Sequence, residues 1–437
     1  NWKLKKDFVQ ISVNNFFLYL LLLLIVSSCG IGNKEIEDNN ENLKIILEKS
    51  KPIKKELNSN LKIKLNKLTK GEPFLRNNTN NIGNINFETD FEKTSSYKFS
   101  SIKNFNFNQP ELFFTNDENI VFFDGKGSIF KINKDLKEIW KVNHYTKKEK
   151  KLKPIIYFAQ TDKTIIAADN LSKIYLINLK DGNLIKSIES TTGFNSNIKV
   201  SDDRFFIVDF ENIIRCFSST SGLELWNFDT ENPFIKSKKK LSLVIKGEIV
   251  FFINNIGDLT ALNINNGSLF WQIPTQSNLI YQDSFTLENS DLVFANDSIY
   301  FSNNKNELFS IDARTGVVNW KQTVNSSLTP TITENLVFTV SNEGYLFSID
   351  NKKGNIVRIT NMLKNIKNKK NEIKPTGFII ARNKIYLSLN NGRLVKADVS
   401  TGIEENIYKL SNSSILRPSV IGSKMYLLKN NAIIKTD

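Results

Sequence analysis

From about residue 94 to the C-terminus, short apolar or alternating runs recur in a fixed order, each closed by a turn-forming residue. Residues 120–123, 249–253, 299–301 and 385–389 are runs rich in β-branched and aromatic residues, too short for helices. Each leads through a tight-turn position into a second apolar run. The segments align on a turn, usually Gly, four residues before a Trp: Gly222 and Trp226, Gly267 and Trp271, Gly316 and Trp320. Gly182, Gly354 and Gly402 hold the same slot, with Lys186, Arg358 and Asn406 where the Trp stands elsewhere. A repeat one residue shorter ends at Trp140. The turns are spaced by about 38 to 49 residues, near the period of a four-stranded propeller blade.

Three further slots keep step. Eight residues before the turn stands Ile129, Ile174, Ile214, Leu259, Leu308, Leu346 or Leu394. Two residues earlier comes Gly127, Ser172, Asn212, Gly257, Asn306, Gly344 or Gly392, types that tolerate tight-turn dihedrals. Four residues before the turn is Asn133, Asn178, Ser218, Asn263, Asp312, Asp350 or Asp398, whose short polar side chains can bond the following backbone. The last segment, 417–437, has Asn431 and Ile433 in register and stops where a fourth strand would begin. A strand around 94–102 has no blade of its own. The expectation is an all-β, eight-bladed propeller of four-stranded antiparallel blades, with the last blade closed by this N-terminal strand, so that Tyr97 lies beside the hairpin around Ile433. Trp140, Trp226, Trp271 and Trp320 are expected to be structural, packing an outer strand against the neighbouring blade.

The first ninety residues read differently. Lys3, Lys5 and Lys6 precede an unbroken apolar run at 16–26, too short to span a bilayer but suited to a signal-peptide core. It ends in Val26-Ser27-Ser28-Cys29-Gly30, which resembles the lipobox of bacterial lipoproteins. That resemblance implies a signal peptide over 1–28, cleavage before Cys29, acylation of Cys29 and, with Gly30 after it, sorting to the outer membrane. Residues 29–84 are rich in Asn, Lys and Glu and are expected to be a flexible tether, with a short helix at 41–50, before a propeller spanning 85–437.

Composition narrows the chemistry. The 437 residues include one His and two Cys, too few for zinc clusters, a disulfide framework or repeated His-based acid–base sites. His144 lies in a Lys-rich loop without a sequence-level triad partner, and Cys216 takes a small-residue strand slot. Asp312, Asp350 and Asp398 are placed by their turns rather than as metal ligands. The net charge of +14 is spread as single lysines, without the Arg–aromatic alternation of a nucleic-acid groove. No catalytic, cofactor-binding or metal residue is expected.

Residues 308–320, LFSIDARTGVVNW, resemble the tryptophan-docking repeat of quinoprotein-type propellers, and the likeness extends over about 94–437. Two branches of that superfamily differ in function. Quinone-dependent alcohol or sugar dehydrogenases hold calcium and often a disulfide between adjacent cysteines, which this chain lacks. The other branch is the BamB type, a non-enzymatic lipoprotein of the outer-membrane β-barrel assembly machinery. Lipobox, Gly30, tether and eight blades match it in order. That resemblance implies a scaffold on the periplasmic face of the outer membrane. It would bind the periplasmic domains of the central barrel-assembly protein and help pass on unfolded outer-membrane proteins, with no nucleic-acid partner. Carried over residue by residue, the contact maps to Ile311, Ala313 and Arg314, after the long inter-blade stretch 274–288. A propeller lipoprotein with another periplasmic or cell-wall partner is the alternative, followed by a quinone-dependent dehydrogenase.

Overall fold

Each repeat supplies a second strand that is apolar along most of its length, such as Ile120–Phe123, Arg204–Val208 after its first residue, and Ile249–Ile253, and these are almost fully buried. A strand buried on both faces needs cover on both faces. The outermost strands instead alternate or are open, as in Glu224–Asp229 and Leu269–Pro274. In this computed structural model, which describes residues 51–65, 67–69, 73–89, 91–232, 237–276, 286–366 and 372–436, that requirement is met by eight sheets arranged as blades. All described residues fall within one compact unit, Ser50–Asp437.

The innermost strands of blades 1 to 8 are Phe113–Phe114, Ile156–Gln160, Lys199–Ser201, Leu243–Lys246, Val293–Ala295, Thr331–Ile332, Pro375–Ala381 and Ser419–Ile421. Those of blades 2 to 6 touch one another in sequence, so these edges face a common axis. The outer strands of blades 1 to 7 are Glu138–Val142, Leu184–Glu189, Glu224–Asp229, Leu269–Pro274, Val318–Gln322, Ile356–Asn361 and Glu404–Lys409. Blade 8 takes its outer strand from the other end of the chain. Thr94–Lys98 pairs antiparallel with Ala432–Thr436, Thr94 opposite Thr436 and Tyr97 opposite Ile433. This pairing closes the ring.

The hairpin and turn slots are occupied as their chemistry requires. Gly127, Ser172, Asn212, Gly257, Asn306, Gly344 and Gly392 all adopt positive φ, between 62° and 96°. The polar slot before each turn accepts backbone N–H groups: Asn133 from Lys137, Asp350 from Lys353 and Asp398 from Thr401. One residue ahead of that slot the third and fourth strands slip by a bulge, for example between Ser310 and Ile311. The bulge sets Trp320 opposite Ser310, Trp271 opposite Ala261 and Trp226 opposite Cys216.

From there each Trp lies on the next blade. A Cβ at Gly182, Gly267, Gly316 or Gly354 would sit within 3.0 Å of the Trp140, Trp226, Trp271 or Trp320 ring, respectively. Each indole Nε1 donates to that blade's turn: Trp140 to Leu179 O, Trp226 to Ile264 O, Trp271 to Ala313 O and Trp320 to Asn351 O, at 2.9–3.2 Å. Cations take over where the Trp is missing. Lys186 Nζ donates to Ser221 O, and Arg358 donates to the carbonyls of Val399 and Ser400.

The N-terminal boundary requires a correction. Residues expected to form the end of a loose tether are part of the ring. Leu57 exchanges backbone hydrogen bonds with Ile359 on the rim of blade 6, and Ile63 is buried and donates to Ser400 O. Farther along, the run Asn77–Asn81 crosses the axis and meets one blade after another. Asn78 Nδ2 donates to Val200 O in blade 3, and Asn78 O accepts from Ile245 N in blade 4. Thr79 O accepts from Phe294 N in blade 5, and Asn81 bonds both backbone groups of Ile332 in blade 6. Asn84–Ile85 then adds a parallel strand to the inner edge of blade 7. Nothing in the run Asn77–Asn81 is apolar, so its order comes from hydrogen bonds to inner-strand ends and not from a period. The signal segment, Cys29 and the 41–50 helix lie outside the described residues.

Trp320→Ala should cost about 3–5 kcal/mol of unfolding free energy, the range for emptying a buried Trp site. Trp320→Phe, which keeps a ring but loses the bond to Asn351 O, should cost roughly 1 kcal/mol from that bond, plus a smaller packing loss. Urea denaturation of both variants reads the difference. Equal losses would mean that the ring face contributes nothing to blade docking.

Candidate functional site

The expected partner contacts sit in the turn after the third strand of blade 5, Glu307–Asp312. Asp312 accepts from the Thr315 hydroxyl at 2.7 Å and from the Thr315 and Arg314 backbone N–H groups, which holds its carboxyl below the usual range. This turn aims Arg314 into solvent. Ile311 and Ala313 go the other way. Ile311 is fully buried and Ala313 is 6% exposed, both packed in the core between blades 4 and 5, and the Ala313 carbonyl receives Trp271. Their assignment as contact residues, carried over from the family resemblance, is therefore corrected: both faces of this strand are covered, so neither side chain reaches the surface. Exposed apolar side chains do stand near this turn in sequence, but they are Val317 and Val318; Leu269 and Phe270 are also exposed, on the outer strand of blade 4 that carries Trp271. Residues 277–285 of the preceding long stretch lie outside the described residues.

Neither Cys216 nor His144 is placed for chemistry. Burial pushes the Cys216 thiol up to about 12, far from a reactive thiolate. His144 stands beside the Tyr175 ring, and burial lowers its pKa. Among the described residues, no group of three or more His, Cys, Asp or Glu side chains is placed to hold a metal ion, and no helix is long and apolar enough to cross a membrane.

The densest charge lies on the axis. Glu111, Lys240, Asp291 and Arg417 each stand two or three residues ahead of the innermost strand of blades 1, 4, 5 and 8. The ring gathers them, with Lys239, around a cavity of about 80 Å³ whose floor includes Phe74 and Leu75 of the crossing segment. Lys240 Nζ is 2.6 Å from Glu111 Oε2 and 3.9 Å from Asp291 Oδ1. Burial disfavours the Lys240 ammonium, but the two carboxylates outweigh it and raise its pKa. For Asp291 the burial cost is likewise outweighed, by Lys240 first, and its pKa is lowered. Lys199 donates to Leu75 O, Asn77 O and Asn80 Oδ1, pinning the crossing segment. No carboxylate bonds it, and burial brings its ammonium down to about 7. The sequence reading missed this group. Its one signal was a charged residue recurring just ahead of a blade's first strand.

With this geometry in view, comparison with known proteins is direct. The model of the family described as outer membrane protein assembly factor BamB matches residues 125–360, more than half of the chain. The chain belongs to this family. Among solved structures, BamB from Moraxella catarrhalis superposes with a TM-score of 0.60 at 13% identity, covering 78% of this chain and 97% of that one. A computationally designed protein, Ika8, gives 0.57 at 12% identity, covering 78% and 99%. The C-terminal WD40 domain of Sif2 gives 0.57 at 10% identity, covering 78% and 98%. At such identities the structural likeness speaks for the propeller fold alone. No curated protein matches the chain. The BamB family model runs from the first blade into the sixth, so it takes in all four docked Trp residues and the Arg314 turn.

Lys199 gives a pH signature. Its pKa falls from 10.5 when unfolded to about 7 when folded. Below 7 it is charged in both states and the burial cost is fully present. Between 7 and 10.5 the unfolded chain binds the extra proton, so this group makes stability rise with pH across that window. Thermal melts from pH 6 to 10 should show that rise in the native protein and a flatter profile in Lys199→Met. Parallel profiles would mean that Lys199 titrates near its ordinary value.

Proposed function

We propose that this chain is a non-catalytic scaffold lipoprotein of the outer-membrane β-barrel assembly machinery, which binds the periplasmic domains of the central barrel-assembly protein. The observation that carries the reading is the BamB family match over 125–360, and the lipobox ending at Cys29 supports it. On this reading Cys29 is acylated and holds the ring at the periplasmic face of the outer membrane. Because Ile53 packs on the core between blades 5 and 6 and Lys54 O accepts from Tyr345, less chain separates the ring from Cys29 than a tether running to residue 84 would give. The ring would then work close to the membrane, where confinement raises its effective concentration at a membrane-bound partner.

The contact surface on this reading is the blade 5 turn. Arg314 supplies a planar multi-donor cation, and Val317 and Val318, three and four residues on, supply exposed apolar area. Binding needs no turnover: a rigid turn set by Asp312 presents the cation, and the apolar fringe excludes water around it.

Co-purification of the native protein from solubilised outer membranes should recover the central barrel-assembly protein. Arg314→Glu and Val317→Asp should each reduce that recovery about tenfold or more while circular dichroism stays unchanged. Recovery of a different periplasmic or cell-wall partner would replace this reading. In a separate fractionation, Cys29→Ser should move the protein from the membrane fraction to the soluble periplasm. Retention in the membrane would refute the lipid anchor.

A further inference from the structure

The charges around the axial cavity do not cancel. Three cations, Lys239, Lys240 and Arg417, face two carboxylates, Glu111 and Asp291. Lys240 takes up both acids, and Asp291 also accepts the Thr329 hydroxyl at 3.0 Å. Lys239 is left with one long contact, to Ser327 O at 3.4 Å. Arg417 lies over the Phe74 ring with Cζ 4.2 Å from its centroid. Both of its Nη nitrogens are buried, and no described group accepts a hydrogen bond from either. Among the described residues neither Lys239 nor Arg417 has a carboxylate within ion-pair distance. Burial lowers the pKa of both; Glu288 and then Asp291 offset part of that cost for Lys239, and Glu111 and then Asp291 for Arg417.

A buried guanidinium nitrogen without an acceptor is costly to hold, because it gives up its hydration and gains no bond in exchange. Structural cations in this protein do not stand so. Arg358, which is more deeply buried, spends its terminal nitrogens on Leu61, Ser400 and Val399 carbonyls, and Arg215 is paired to Asp209 and Glu224. Arg417 and Lys239 flank a cavity of about 80 Å³, room for several water molecules or for one small anion. Leu112, Leu328 and Phe378 form apolar parts of its wall. We propose that the axial cavity is a binding site for a small oxyanion, a carboxylate or phosphate group carried on a compact molecule, held between Arg417 and Lys239. A planar guanidinium matches two oxygens of such a group at once, and Lys239 adds a point charge from another blade. Because the ligand would touch blades 4 and 8 and the crossing segment, binding would tighten the ring at its axis. This site stands apart from the Arg314 surface and does not depend on the assembly role.

The test is calorimetric titration of the full chain in detergent with inorganic phosphate and, separately, with succinate. Saturable binding of at least one, with Kd of about 1 mM or tighter, is expected. Which probe binds more tightly separates a phosphate from a carboxylate ligand. Arg417→Met and Lys239→Met should each weaken it about tenfold or more, while Lys163→Met on the exposed surface should leave it unchanged. If Arg417→Met fails to fold by circular dichroism, Lys239→Met decides. No saturation by either probe at about ten times that concentration overturns the proposal, as does binding that survives the cavity substitutions. Crystals soaked in selenate give an independent readout: anomalous density in the cavity is expected, and density confined to surface lysines overturns the site.

Discussion

A propeller blade has no core of its own. Strands such as Ile120–Phe123 and Ile249–Ile253 are apolar on both faces, and each face is covered only by the adjoining blade. Closure of the ring is thus the constraint on which everything else rests. Without Thr94–Lys98 paired to Ala432–Thr436, blades 1 and 8 would each expose a hydrophobic sheet. The Trp-on-Gly contact repeats that logic between blades 1 and 2, 3 and 4, 4 and 5, and 5 and 6. A flat ring needs a partner without a Cβ, and its N–H needs a carbonyl, so one contact sets both the distance and the angle between two sheets. Arg358 shows that the carbonyl matters as well as the ring, since its guanidinium reaches Val399 O, the equivalent acceptor, while Lys186 bonds Ser221 O, nearer the turn glycine.

The crossing segment adds a second kind of order. Its asparagines act as side-chain mimics of a β-ladder, satisfying inner-strand groups that point at the axis. An unmet backbone group there would be buried without water, which gives each bond its weight. The same segment floors the axial cavity and is pinned by Lys199, so the ring's centre and its N-terminal chain form one unit. The rim turns and the axial cavity are different parts of one compact unit.

Family membership and surface chemistry have different standing. The repeat and the family match concern residues that pack, such as Trp271 and Gly316. Contact with a partner depends on what is left outside. Ile311 shows how far the two can part: by motif it belonged to the contact, and by packing it is core.

What the sequence determined by itself was the repeat and its consequences: seven hairpin positions at positive φ, the polar turn slots, the docked Trp residues and the clasp between Tyr97 and Ile433. These are local or periodic, and each residue type carries its own conformational reason. Tertiary structure alone decided which side of the blade 5 turn faces solvent, that Asn77–Asn81 crosses the axis, and that Glu111, Lys240, Asp291 and Arg417 meet there. Those outcomes come from closing a circle. Residues more than a hundred positions apart are brought within bonding distance, and no spacing along the chain encodes which of them will meet.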